Sequence, residues 1–110
     1  MQYLIIGKDG TDSEAKERRT KARPDHIAMG DKLVASGNLW YAAALLDTDG
    51  NMNGSMYVVD FSSEKELQKW LDEEPYVLGE VWKSIEILKC KTRDPRQFNR
   101  PKEFFEKKIV

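Results

Sequence analysis

His26 is the sole histidine of this 110-residue sequence, and imidazole is the side chain best suited to moving protons near neutral pH. It follows Pro24 by two residues, which predicts a place in the first turn of a helix. Backbone N–H groups there carry partial positive charge, disfavour an imidazolium, and leave the ring a neutral general base or hydrogen-bond partner. An ordinary surface or capping histidine fits the same position. Arg23, just before that helix, can grip a carboxylate through two parallel hydrogen bonds, or can be one more solvated member of the basic run from Lys16 to Arg23. Cys90, the one cysteine, ends an apolar stretch, where a buried or edge thiol is the more natural reading than a nucleophile. Asp49-Gly50-Asn51-Met52-Asn53-Gly54 followed by Asp60 has the spacing of a calcium loop with aspartate at the last position. Its flanks read as strands where that motif needs helices, and Asp-Gly and Asn-Gly steps are what a hairpin loop demands. There is no histidine–cysteine cluster for zinc or iron and no phosphate-cradling glycine loop after the first strand, so neither a metal nor an organic cofactor is implied.

The elements that would position these residues follow from pattern. Tyr3 to Gly7 reads as a strand ended by glycine. Lys8 to Ala22 is polar, with room for a short helical turn around Asp12 to Arg19. Pro24 opens a clearer helix, since proline is favoured at a first helical position. Ile27, Gly30, Leu33 and Val34 share one face of it, and Gly37 ends it. Gly30, unfavourable inside a helix by about 1 kcal/mol relative to alanine, predicts a close approach to a sheet. Leu39 to Leu46 and Ser55 to Phe61 are the strands of one hairpin. Ser63 and Glu66 form a capping-box pair ahead of Leu67, Trp70 and Leu71, and Pro75 closes that helix. Val81 to Leu88 is the last strand, with Val81, Ile85 and Ile87 on one side and Trp82 and Leu88 on the other.

The order strand, helix, strand, strand, helix, strand predicts an α+β fold of ferredoxin-like βαββαβ type, with a four-stranded antiparallel sheet and two helices on one face. Residues 1–90 make this domain, and 91–110 form a C-terminal extension in which Pro101 could start a short helix carrying Phe104 and Phe105. Met56 and Val58 alternate with Tyr57 and Val59, so both sheet faces are apolar. An uncovered apolar face of that size predicts a homodimer through a self-complementary contact; a fold-back of the tail over the face is the alternative.

The formal net charge of −1 supplies no field that would draw the chain to nucleic acid or an anionic membrane. The basic run contains Glu17 and lacks interleaved aromatics. No stretch approaches the roughly 20 apolar residues of a membrane-spanning helix. Met1 to Gly7 lacks a basic region before it and a cleavage-like site after it. A lone thiol suits a reducing compartment, so a cytoplasmic protein is expected.

Arg23-Pro24-Asp25-His26, the helix ending before Gly37-Asn38-Leu39, Gly54-Ser55 entering the third strand, and Glu74-Pro75-Tyr76-Val77 together resemble the signature of the YciI-like (YCII-related) family. The resemblance spans about residues 1 to 90. It implies a dimeric ferredoxin-like α+β barrel, related in architecture to muconolactone isomerase. Its histidine and the carboxylate of an Asp-Pro motif lie near a cleft as a catalytic pair, and one relative is a dehydrochlorinase. Carried over, the histidine is His26 and the carboxylate is Glu74, where the family usually has aspartate. Ala42-Ala43-Ala44 stands where the family has an Ala-Gly-Pro turn.

The function this implies is a small enzyme of lyase or isomerase type acting on a compact anionic organic molecule. His26 would shuttle the proton, Glu74 would orient the ring, Arg23 would anchor the substrate, and Tyr76 and Trp82 would line the pocket. The rival is a non-catalytic ligand-binding or structural dimeric module. A third reading is an interaction module docked through Phe98, Phe104 and Phe105.

Overall fold

A computed structural model describes residues 1–93. Strand β1 (Gln2–Asp9) leads into helix α1 (Ala15–Ala35), followed by the hairpin β2 (Leu39–Leu46) and β3 (Met52–Asp60). Helix α2 (Glu64–Glu73), the single turn α3 (Pro75–Leu78) and strand β4 (Trp82–Cys90) complete the described elements. The strands form one antiparallel sheet in the order β2-β3-β1-β4. The expectations for Pro101, Phe98, Phe104 and Phe105 lie outside the described residues.

The ferredoxin-like order and antiparallel sheet are as predicted, but the expected barrel is not. The sheet is open: β2 and β4 are its two ends and do not pair with each other. Each keeps one row of backbone donors and acceptors that no other strand among the described residues takes up.

Tyr3 and Ile5 of β1 pair with Val59 and Tyr57 of β3. Their side chains enter one core with Leu67, Trp70 and Leu71 of α2 and with Tyr76, against which Ala22, Met29 and Leu33 of α1 pack. The opposite face carries Leu4, Ile6, Met56 and Val58, with Tyr41 and Leu88 at its margins; the last two are 36% and 43% exposed.

Helix α1 departs most from expectation. It starts at Ala15 rather than Pro24, and Pro24 sits inside it. Lys, Arg, Glu and Ala are strong helix formers, and they carry the helix through the stretch expected to be a loop. Proline deletes only the rung to the Thr20 carbonyl. The buried stripe runs through Arg19, Ala22, His26, Met29 and Leu33, offset from the predicted Ile27–Val34 face, and Ile27 and Val34 are exposed. Gly30 makes no close approach to the sheet, because a Cβ there would meet nothing within 4 Å. The end of α1 is as read: Gly37 has φ +83°, and its N–H and that of Asn38 bond the Val34 and Leu33 carbonyls, a Schellman stop.

The Ser63–Glu66 cap forms by half. Ser63 Oγ accepts from the Glu66 N–H at 3.2 Å, while the Glu66 carboxylate reaches Ser62 instead, accepting from its hydroxyl at 2.6 Å. Pro75 both follows α2 and opens α3. In β4, a register shift opposite Lys8 and Asp9 turns Trp82 onto the helix-covered face, away from the side that simple alternation shares with Leu88. A bulge inverts which residues face the core.

Candidate active site

The site lies where α1 crosses β2 and β3. His26 is the twelfth residue of α1, so the predicted influence of a helix N-terminus on its ring does not apply. What faces the ring instead is a carboxylate, whose charge acts in the opposite sense to a helix N-terminus and favours the imidazolium. Glu74 caps α3 by accepting the Tyr76 N–H at 3.2 Å, and the same oxygen, Oε1, bonds His26 Nδ1. Glu74 is 1% exposed; its carboxylate is held by this geometry rather than by solvent.

The other ring nitrogen is engaged as well. His26 Nε2 lies 2.6 Å from the Tyr57 hydroxyl. The Tyr76 ring stacks flat on the imidazole, centroids 3.6 Å apart and planes 4° apart, and Trp82 meets it edge-on at 6.1 Å. Burial, and secondarily the Glu74 charge, raise the Tyr57 pKa above that of a free phenol, so its hydroxyl remains protonated across the neutral range. With the ring proton on Nδ1 given to Glu74, Nε2 is a lone pair that accepts from Tyr57.

A second polar group adjoins this one. Arg19 is buried and gives its guanidinium to four oxygens, Asp9 Oδ2 at 2.7 Å, Tyr76 Oη at 3.1 Å, the Gly54 carbonyl at 2.6 Å and Ser55 Oγ at 3.1 Å, and more loosely to Met52 Sδ at 4.0 Å. Ser55 Oγ also accepts from Trp82 Nε1 at 3.1 Å. The indole reaches it by lying over Gly7, where a Cβ would come within 2.4 Å of the ring. Asp9 Oδ1 is buried with no partner among the described residues.

Both groups border a cavity of about 310 Å³ between α1 and the β2–β3 hairpin. His26, Tyr57, Ser55, Arg19 and Tyr76 make its inner polar wall, the exposed Arg23 and Asp31 also border it, and Ala42, Ala43, Ala44 and Leu39 supply apolar wall from β2. The three alanines run as regular strand. Of the residues singled out from sequence, His26, Arg23 and Tyr76 border the cavity. Glu74 stands behind His26. Arg23 is exposed at the rim, and Trp82 backs Ser55 rather than bordering the space. Cys90 ends the edge strand β4, partly exposed. Asp47 to Asn51 form a hairpin turn in which Asp47 Oδ1 accepts the Asp49 and Asn51 N–H groups, each at 2.9 Å.

Arg19, Ser55 and Tyr57 were not singled out for chemistry from the sequence. Arg19 hides in a basic run that reads as solvated, and Tyr57 reads as strand core. The available signal was helical spacing: Arg19, Ala22 and His26 fall on one face.

The fold and this site together define a ferredoxin-like α+β protein with a buried histidine–glutamate pair beside a cavity. The chain belongs to the YCII-related family, whose domain it matches over residues 1–91. It is 31% identical to Protein YciI of Escherichia coli O6:H1 and of Shigella flexneri, alignments covering 79% of this chain and 93% of each relative. Among solved structures, the 5-chloro-2-hydroxyhydroquinone dehydrochlorinase of Burkholderia phenoliruptrix AC1100, in complex with 2,5-dihydroxybenzoquinone, superposes with TM-score 0.73 at 19% identity. That superposition covers 83% of this chain and 94% of the other. A dimeric ferredoxin-like protein of unknown function from Jannaschia sp. CCS1 superposes with TM-score 0.52 at 10% identity, covering 83% and 98%. At these identities the likeness is one of fold. No helix among the described residues is long and apolar enough to cross a membrane.

Proposed function

We propose that the chain is a small-molecule enzyme of lyase or isomerase type in which His26 moves a proton on a compact anionic substrate. The buried His26–Glu74 pair at the cavity is the observation that carries this reading. Taking such a pair out of water is expensive, and apolar replacements of the same volume are often as stable or more so; its position beside a space large enough for a ligand favours chemistry over packing. Glu74 fixes the tautomer and stabilises the imidazolium that forms, leaving Nε2, with the Tyr57 hydroxyl on it, as the proton-accepting side. Arg23 at the rim draws in the anionic end, and the Tyr76 ring holds the imidazole plane. The fold shared with a dehydrochlorinase supports elimination as the reaction type: a substrate proton passes to His26 while chloride leaves with its bonding pair.

The apolar second face of the sheet supports a homodimer, as does the dimeric protein of similar fold. The lone thiol supports a cytoplasmic location. The test is chloride release from 5-chloro-2-hydroxyhydroquinone by the wild type and by His26→Asn. Turnover that falls about 10²–10⁴-fold in the variant supports the proposal. Binding of the same compound by both proteins, with no turnover by either, favours the ligand-binding module instead.

A further inference from the structure

Counting donors and acceptors at Ser55 leads to a site for one particular atom of the substrate. A serine hydroxyl has two lone pairs and one proton. Arg19 Nη2 and Trp82 Nε1, both groups that can only donate, each bond Ser55 Oγ at 3.1 Å. Both lone pairs are therefore taken, and the hydroxyl cannot turn to accept. Its own proton has no acceptor among the described residues, and Ser55, 4% exposed, borders the cavity. Tyr57 lies two residues along β3, on the same face of the sheet, and borders the same cavity.

We propose that Ser55 is a dedicated donor to an oxygen of the substrate, and that the substrate class is a small carboxylic acid or phenol carrying an enolisable carbonyl. Two fixed donors, one of them cationic, polarise the hydroxyl, so it bonds more strongly to an oxygen gaining negative charge. This is the requirement of proton removal next to a carbonyl. The C–H bond breaks, its electron pair becomes the C=C bond, and the carbonyl π pair moves to the oxygen held by Ser55. The released proton goes to the Tyr57 oxygen as the Tyr57 proton passes to His26 Nε2. Donor and acceptor thus stand side by side on one strand, a preorganised arrangement for enolate formation. The chemical step rests on the proton-transfer reading above; the binding step does not.

Phenylpyruvate and 3-phenylpropionate differ in the carbonyl oxygen, and they separate the two. Calorimetry on the wild type should give phenylpyruvate about five- to tenfold tighter binding. In Ser55→Ala that ratio should fall to about one, with the affinity for 3-phenylpropionate little changed. Trp82→Phe, which frees one lone pair and lets the hydroxyl rotate, should give an intermediate ratio; it decides the matter if Ser55→Ala does not fold. A ratio of one in the wild type, or a wild-type ratio kept in either variant, overturns the proposal. Exchange of the phenylpyruvate methylene protons in D₂O, followed by NMR above the buffer rate, reports on His26. Absence of exchange with the binding ratio intact sinks the proton-transfer reading and leaves the carbonyl site standing.

Discussion

The Arg19 corner and the His26 corner of the cleft are assembled alike. Each places a basic side chain of α1 against a carboxylate brought by another element, Asp9 from β1 and Glu74 from the α2–α3 junction. Tyr76 joins them, its hydroxyl accepting from Arg19 and its ring stacked on His26. They differ in what they can do. A guanidinium does not give up its proton, so the Arg19 corner has a cation that cannot act as an acid or base. An imidazole against a carboxylate can gain and lose a proton without moving. On the proposed function, one corner is scaffold and the other is working part, and a buried pair takes its meaning from whether its cation can titrate.

The sharpest way to break this comparison is Arg19→Ala. It strands Asp9 in the interior and removes the donor from Tyr76, Gly54 and Ser55, and urea unfolding should show a loss of about 3–5 kcal/mol. Adding Asp9→Asn to Arg19→Met should recover a large part of that loss, since the stranded charge is then gone. Full additivity of the two would show that Asp9 and Arg19 are not energetically paired. Glu74→Gln is milder in stability, about 1–2 kcal/mol because the amide oxygen still accepts, but harsher in function, with proton exchange at the substrate slowed about 100-fold or more. Were Glu74→Gln to prove the more destabilising of the two single changes, the division into scaffold and working part would be wrong.

A third effect, confined to alkaline pH, reads how far Tyr57 is shielded from water. The Tyr57 phenol is raised in the folded protein, by burial first and the Glu74 charge second, whereas in the unfolded chain it ionises near pH 10. Above that pH the unfolded state binds fewer protons than the native one, so stability falls as pH rises, by at most about 1.4 kcal/mol per pH unit for one group. Tyr57→Phe should remove that share of the slope between pH 10 and 11.5 and leave stability below pH 9 without a pH trend of its own. An unchanged alkaline slope would mean that Tyr57 is not shielded as the geometry requires.

Much of the frame was legible in sequence because strands and capped helices announce themselves locally. Leu39 to Leu46 was bounded by glycine and a turn, and Leu67, Trp70 and Leu71 recur at helical spacing after a serine cap. Resemblance to a family placed His26 and Glu74 in one site, which no local rule could do across 48 intervening steps of chain. What escaped depends on partners far away in sequence. The buried stripe of α1 is led by an arginine and a histidine, so a search for apolar periodicity settled on Ile27 and Val34 beside it. Pro24 read as a start because its penalty inside a helix is a prior that tertiary packing can outweigh. Trp82 was assigned to the wrong side because a bulge in β4 is set by its pairing with β1, not by its own residues. The barrel expected from resemblance describes a closed sheet that four strands with two free ends do not make.

Gly7 and Trp82 carry a consequence for how this sequence can change over time. With the indole seated where a Cβ would fall, position 7 admits only glycine as long as the Trp82 ring keeps this seat. The two positions are therefore coupled: a larger residue at position 7 requires the indole to shift or to be replaced by a smaller side chain, and either change disturbs the donor on Ser55.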